Sequence, residues 1–276
     1  MSSRTRCHTM GAAGSPHVVV HIPHSSTIVP EDVRSTFVLG DLELERELLR
    51  LTDRYTDELF DLDPSVATQV TFGVSRLVVD PERFLDDAVE PMAAHGMGAV
   101  YTRTSDGTPL RRGLSEPQRG ALLARFYEPH HAALEAATRA ALDGAGRCLI
   151  IDGHSFPCAP LPSELDQEQE RPDICIGTDA FHTPAQLVDE VVAAFVASGL
   201  EVTVNHPYAG AIVPARFYQR DKCVAALMVE INRRLYMDEG TGEKTARFAE
   251  TRTIVQSVLE ALSRSTGFSN GVRQAR

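Results

Sequence analysis

Four short segments of this chain are loaded with side chains that bind metals or exchange protons: His21-Ile-Pro-His24-Ser-Ser, Asp152-Gly-His154-Ser, Asn205-His206-Pro-Tyr and Glu230-Ile-Asn232. Each follows a run of apolar, β-branched residues, so each stands where a buried strand ends. Neutral imidazole and carboxylate together are a ligand set that suits zinc. His24 and His154 are the candidate ligands, and Asp53 or Asp57 could supply a third. A lone histidine at a strand end is more often a hydrogen-bonded structural group, so the reading rests on the agreement of the two in position. His21 lies within its strand and reads as structural, as do His8, His95, His130 and His131.

Two other chemistries compete for the same residues. Asp152-x-His154-Ser155 suggests a serine hydrolase, but successive side chains of an extended chain point to opposite faces, which turns Ser155 away from His154. No G-x-S-x-G turn presents another serine. Cys158 follows His154 closely, yet a nucleophilic thiol needs a depressed pKa that nothing nearby in sequence supplies. Metal-activated water ranks above both.

The elements that must position these residues alternate. Apolar runs at His17–Ile22, Arg76–Asp80, Arg147–Asp152, Glu201–Asn205 and Cys223–Ile231 read as buried strands of a mainly parallel sheet. Leu44, Leu48, Leu51, Tyr55 and Leu59 recur at three- and four-residue steps and predict a helix from about Asp41 to Phe60. A second helical region spans Ser115 to Leu142, with Pro129 set to kink or divide it and Gly144 to stop it. A third is framed by Thr183-Pro184 and Gly199, and a fourth covers Gly242 to Ser263. The expectation is a single α/β domain over residues 17–265, a mostly parallel mixed sheet with helices on both faces, between loose tails at 1–16 and 266–276. Ligands bind such folds beyond the carboxyl ends of the strands. Pro157 to Pro172, rich in Pro, Glu and Gln, reads as a mobile loop beside His154.

Composition narrows the partners. Hydrophobic residues make up 43% of the 276, enough to bury a large core. A formal net charge of −11 excludes a nonspecific grip on phosphate backbones, and nucleic acid is not an expected partner. It would also repel an anionic substrate at long range, so a site for one must carry its own arginines. Five cysteines without a C-x-x-C pair fit a reducing compartment, and Cys148, Cys175 and Cys223 read as small buried hydrophobes. Neither a secretory signal nor the ~18–20 apolar residues of a membrane span is visible, and a cytoplasmic protein is expected. Oligomeric state leaves no mark in the sequence.

Several motifs occur in a fixed order: Pro23-His24-Ser25, Thr52-Asp53, Ser75-Arg76-Leu-Val-Val-Asp80 with Arg83, Asp152-x-His154-Ser155, Pro172-Asp173 with Gly177-Thr178, Asn205, Gly210, Arg216 with Tyr218, and Glu230 with Tyr236-Met237. With these, the chain resembles the N-formylglutamate amidohydrolases from about His21 to Glu239. That family is similar to zinc carboxypeptidases and aspartoacylases, so the resemblance implies a zinc-exopeptidase-like α/β fold. It further implies one zinc ion held by His24, Asp53 and His154, with Glu230 as general base. One departure is Glu82, where relatives often show asparagine before the arginine; it bears on the substrate more than on the reaction.

The chemistry agrees with the resemblance. Zinc on three protein ligands keeps a position for water and lowers its pKa toward about 7. Glu230 can take the water's proton and pass it to the departing nitrogen, although a carboxylate paired with an arginine would read the same way. Arg76 can stabilise the oxyanion formed on an acyl carbonyl. Arg83 and Arg216 can grip carboxylates through bidentate forks, and Asn205 joins them as a substrate-binding residue. The expected reaction is hydrolysis of the amide of an N-acyl acidic amino acid, N-formyl-L-glutamate first. The alternatives are a zinc carboxypeptidase-like peptidase and a non-catalytic binding protein on the same fold.

Overall fold

Six strands form one sheet: β1 (Val18–Ile22), β2 (Ala67–Thr71), β3 (Cys148–Phe156), β4 (Ile174–Thr178), β5 (Val202–Val204) and β6 (Val224–Asn232), in the order β2-β1-β3-β6-β4-β5. The computed structural model describes residues 17–265, and the two expected tails lie outside these. Among the described residues, seven α-helices accompany the sheet: α1 (Glu31–Arg34), α2 (Asp41–Leu51), α3 (Thr56–Leu59), α4 (Glu116–Leu122), α5 (Glu128–Ala145), α6 (Ala185–Ala197) and α7 (Phe248–Ser263). Every neighbouring strand pair is parallel except β4 with β6. The mixed, mostly parallel α/β sheet expected from the sequence is the one observed.

β1, β3 and β6 are buried along their whole length. Both faces are covered, which is why they read as unbroken apolar runs instead of alternating. Val18, Val20, Leu149 and Ile151 pack with Leu187, Val191 and Phe195 of α6 and with Val255 and Leu259 of α7. Val19, Ile150 and Val224 turn the other way, onto Leu134 and Ala141 of α5. β2 and β4 were not expected. β2 is a half-exposed edge strand without a long apolar run, and β4 is only five residues long after a polar loop.

Some expectations are corrected. Arg76–Asp80 is a turn, not a strand, although Leu77, Val78 and Val79 are fully buried. They join a separate core with Leu44, Leu51, Tyr101 and Leu110. Their backbone finds partners without a ladder: Arg111 donates to the Leu77 and Val78 carbonyls, and Asp80 N–H donates to Ala99. The helix expected over Asp41–Phe60 is broken: Thr52 is extended and Tyr55 is left-handed at φ 67° between α2 and α3. As Pro129 suggested, the second helical region is divided: the π-helical turn Leu123–Tyr127 separates α4 from α5, whose first turn holds Pro129, and α5 continues to a left-handed cap at Gly146, two residues past Gly144. Cys148, Cys175 and Cys223 are all buried as expected, Cys148 and Cys175 as free thiols. No helix among the described residues is long and apolar enough to cross a membrane.

Candidate active site

The carboxyl ends of β1, β3 and β6 open onto a cavity of about 450 Å³. His24 arrives two residues after β1, and His154 lies near the end of β3, directly opposite Glu230 of β6 in the parallel register. Gly153 lets β3 reach this point, since a Cβ there would stand 2.9 Å from the Phe60 ring. Asp53 comes from the break between α2 and α3, where its N–H donates to the His24 carbonyl at 3.0 Å. That break, which cost the helix its continuity, is what turns a carboxylate toward the sheet.

Three ligand atoms converge. Asp53 Oδ2 lies 3.6 Å from His24 Nδ1 and 3.3 Å from His154 Nδ1, and the set falls within 4.8 Å. His24 Nδ1 is buried without a hydrogen-bond partner among the described residues, while its Nε2 meets Asp80 Oδ1 at 2.8 Å. A carboxylate behind the imidazole fixes the ring and leaves one nitrogen free for a metal. Two nitrogens and an oxygen without thiolate match an open zinc site, so the residues fit the ion. Asp57, the alternative third ligand, is exposed on α3 and takes no part in this cluster.

Arginines set the charge of these groups. Burial pushes the Asp53 carboxyl up, but its hydrogen bond with His154, the nearby His24 imidazole and the Arg233 guanidinium, 2.8 Å from Oδ1, hold it well below the usual range. Asp80 is likewise held low against burial, by Arg76, which donates to Oδ2 through Nε and a terminal nitrogen, and by His24. Glu230 goes the other way. Burial, with Asp53 and Asp152 nearby and His154 opposing them, pushes it up to about 8, and its Oε2 has no partner.

Arg76, Arg83, Asp53, His24, His154 and Glu230 all line the cavity. Two candidates do not. Arg216 is 59% exposed and lies 3.9 Å from Glu135 of α5, because Ala211, Ile212, Val213 and Phe217 around it pack into the core beneath that helix. Asn205 is left-handed at φ 57° and closes a hydrogen-bonded pair with Thr178 at the exposed end of β4. In their place the structure brings Arg50, Glu82, Tyr208 and Arg233 to the wall. Arg233 was legible one residue beyond Glu230-Ile-Asn232, and Tyr208 closes the Asn205-His206-Pro-Tyr segment.

The competing chemistries find no support. Ser155 Oγ accepts from Arg233 Nε at 3.2 Å, away from His154. Cys158 is exposed, and burial together with Glu239 pushes its thiol up instead of down. The loop from Pro157 to Pro172 walls the cavity through Leu161, Glu164 and Leu165. It is anchored by Glu164, which accepts from Tyr208 at 2.7 Å and pairs with Arg171 at 3.0 Å, and by His206 against Asp166 and Glu168.

A mixed α/β sheet whose strand ends bring two imidazoles, two carboxylates and several arginines to the wall of one cavity defines an α/β enzyme pocket. More particularly, the chain belongs to the N-formylglutamate amidohydrolase family, whose model matches residues 16–237. The crystal structure of N-formylglutamate amidohydrolase from Ralstonia eutropha JMP134 is similar at 25% identity and a TM-score of 0.80, covering 92% of this chain and 95% of that one. The structure of a gene product of Agrobacterium tumefaciens shares the fold at 20% identity and a TM-score of 0.60, covering 91% and 93%. No curated protein sequence matches the chain significantly.

Proposed function

We propose that the protein hydrolyses the amide of an N-acyl acidic amino acid, with N-formyl-L-glutamate giving formate and L-glutamate as the first substrate to test, and that zinc held by His24, Asp53 and His154 serves the reaction. The observation that carries this is the convergence of two imidazole nitrogens and a carboxylate beside the unpartnered carboxylate of Glu230, inside a cavity walled by arginines. When bound, zinc supplies Lewis-acid chemistry, polarising water and the acyl oxygen.

The chain's own groups do the rest. Glu230, which lines the cavity and whose Oε2 has no hydrogen-bond partner among the described residues, accepts a proton from water and returns it to the leaving nitrogen. Arg76 is committed to Asp80 and presents a fixed positive charge to an oxyanion. Arg83 is only loosely engaged, 3.7 Å from Asp80 through an Nε that has no hydrogen-bond partner, so its fork is available to a substrate carboxylate. Arg50, whose nearest carboxylates are 3.7 and 3.8 Å away, is the candidate for the second carboxylate that Arg216 does not reach. The anchored loop favours a small molecule over a peptide running through an open groove.

The experiment is formate release from a panel of N-acyl amino acids, with zinc counted on the same samples and on His24→Ala and His154→Ala. Formate from the glutamate or aspartate derivatives, with loss of zinc and turnover in both variants, is the expected result. Full zinc and full activity in both variants would remove the site from His24 and His154.

A further inference from the structure

Beyond the His154 imidazole lies a second set of ligating atoms that the proposed hydrolysis leaves unused. His21 of β1 and Asp152 of β3 are register partners, with His21 Nδ1 2.8 Å from Asp152 Oδ1. Glu82, two residues past Asp80, brings Oε1 to 3.4 Å from the same nitrogen. The ligand atoms of the three residues fall within 4.8 Å of one another. His21 and Asp152 are buried, and Glu82 lines the cavity, so solutes in the cavity can reach the group.

Donors and acceptors do not balance there. Two carboxylates bring four oxygens, and their ion-pair partners among the described residues are histidines alone, His21 and His154. Glu82 Oε1 and Asp152 Oδ2 are buried and have no hydrogen-bond partner. Two carboxylates whose ligand atoms lie within 4.8 Å of one another repel unless a proton or a cation stands between them, and a divalent ion relieves that repulsion while filling both empty acceptors. Behind His21, its Nε2 lies 2.8 Å from His130 Nε2. If the proton is on His21 Nε2 and is donated to His130, His21 Nδ1 turns a lone pair toward the two carboxylates. That is the tautomer of an imidazole ligand steadied by a second residue.

We infer that His21, Glu82 and Asp152 form a second divalent-cation site, with zinc or a first-row ion of similar preference as its ligand, next to the His24, Asp53 and His154 site. One nitrogen and carboxylate oxygens suit such ions. Asp152 joins the two sites, since its Oδ1 is also 3.1 Å from His154 Nε2. An ion here supplies the missing positive charge and places it in the cavity wall beside Arg83, where an anionic substrate is expected. His21, read from the sequence as structural, becomes a ligand, and Glu82, the departure in the arginine motif, acquires a purpose.

The test is to load wild-type protein with zinc chloride, remove loosely held ion by dialysis, count zinc per chain by mass spectrometry, and locate it by anomalous diffraction. Two ions per chain are expected, one peak touching His24, Asp53 and His154 and another touching His21, Glu82 and Asp152. Glu82→Gln should retain the first peak and fall to one ion. A single wild-type ion at the first site, or two ions retained by Glu82→Gln, overturns the inference and leaves the proposed function standing. Zinc at neither site overturns both.

Discussion

Under the proposed function, turnover depends most directly on Glu230. Glu230→Gln keeps the shape of the wall but cannot accept a proton, so zinc content should be unchanged while kcat falls by about 10²–10⁴. Cys158→Ala should leave both unchanged. Essential Cys158 with dispensable Glu230 would replace the mechanism by a thiol nucleophile. Arg83 is proposed to grip a substrate carboxylate: replacing the substrate's side-chain carboxylate by an amide should weaken wild type, and should cost much less in Arg83→Ala if that arginine grips that carboxylate. The coupling from such a cycle should be about 0.5–3 kcal/mol for a direct contact. His24, His154 and Glu230 were legible because each follows or ends a buried apolar run, and strand ends point at the site in an open α/β sheet. The choice between Asp53 and Asp57 was not legible, since it turns on a left-handed Tyr55 that helical periodicity hides. Arg216 was misleading because its charge says nothing of the four apolar neighbours that anchor it over α5.

At the level of elements, the site is held by irregular backbone resting on regular backbone. The turn at Arg76–Asp80 presents Asp80 to His24 and Arg76 to the cavity, and Arg111 supports it from below through two carbonyls. Arg111→Met should therefore leave the Leu77 and Val78 carbonyls without a partner and cost about 1–3 kcal/mol for each orphaned group, read from denaturant unfolding. Zinc affinity should fall with it, because Asp80 no longer steadies His24. An unchanged midpoint and affinity would show that the turn stands by itself. Sequence showed the strands that are buried on both faces and missed β2 and β4, which are short or half exposed. It also took Leu77, Val78 and Val79 for a strand, since apolar runs report burial and not the identity of the hydrogen-bond partners that satisfy the backbone.

For the molecule as a whole, a net charge of −11 sits around a cavity that collects Arg50, Arg76, Arg83 and Arg233. Without metal, stability should vary with pH through Glu230. Its folded value is raised from 4.5 to about 8, so its favourable contribution is complete below about 4.5 and is lost as pH rises through about 8. Thermal melts of the metal-free protein across that window should show the decline, and Glu230→Gln should reduce it, leaving the part below about 7 that comes from Glu82, also raised by burial and Asp152; the same slope in both would assign it to other groups. The order of the sheet has a consequence for the chain as it is being made. β6 is the last strand to be synthesised, yet it lies between β3 on one side and β4 on the other. β4 and β5 can pair only with each other until β6 emerges, and the half containing β2, β1 and β3 must wait with one flank of β3 open. A ribosome-bound chain therefore holds His24, Asp53 and His154 well before it holds Glu230 and Arg233, so the proposed ligand set precedes the proposed base, and the cavity is complete only when the final strand slides into the middle of the sheet.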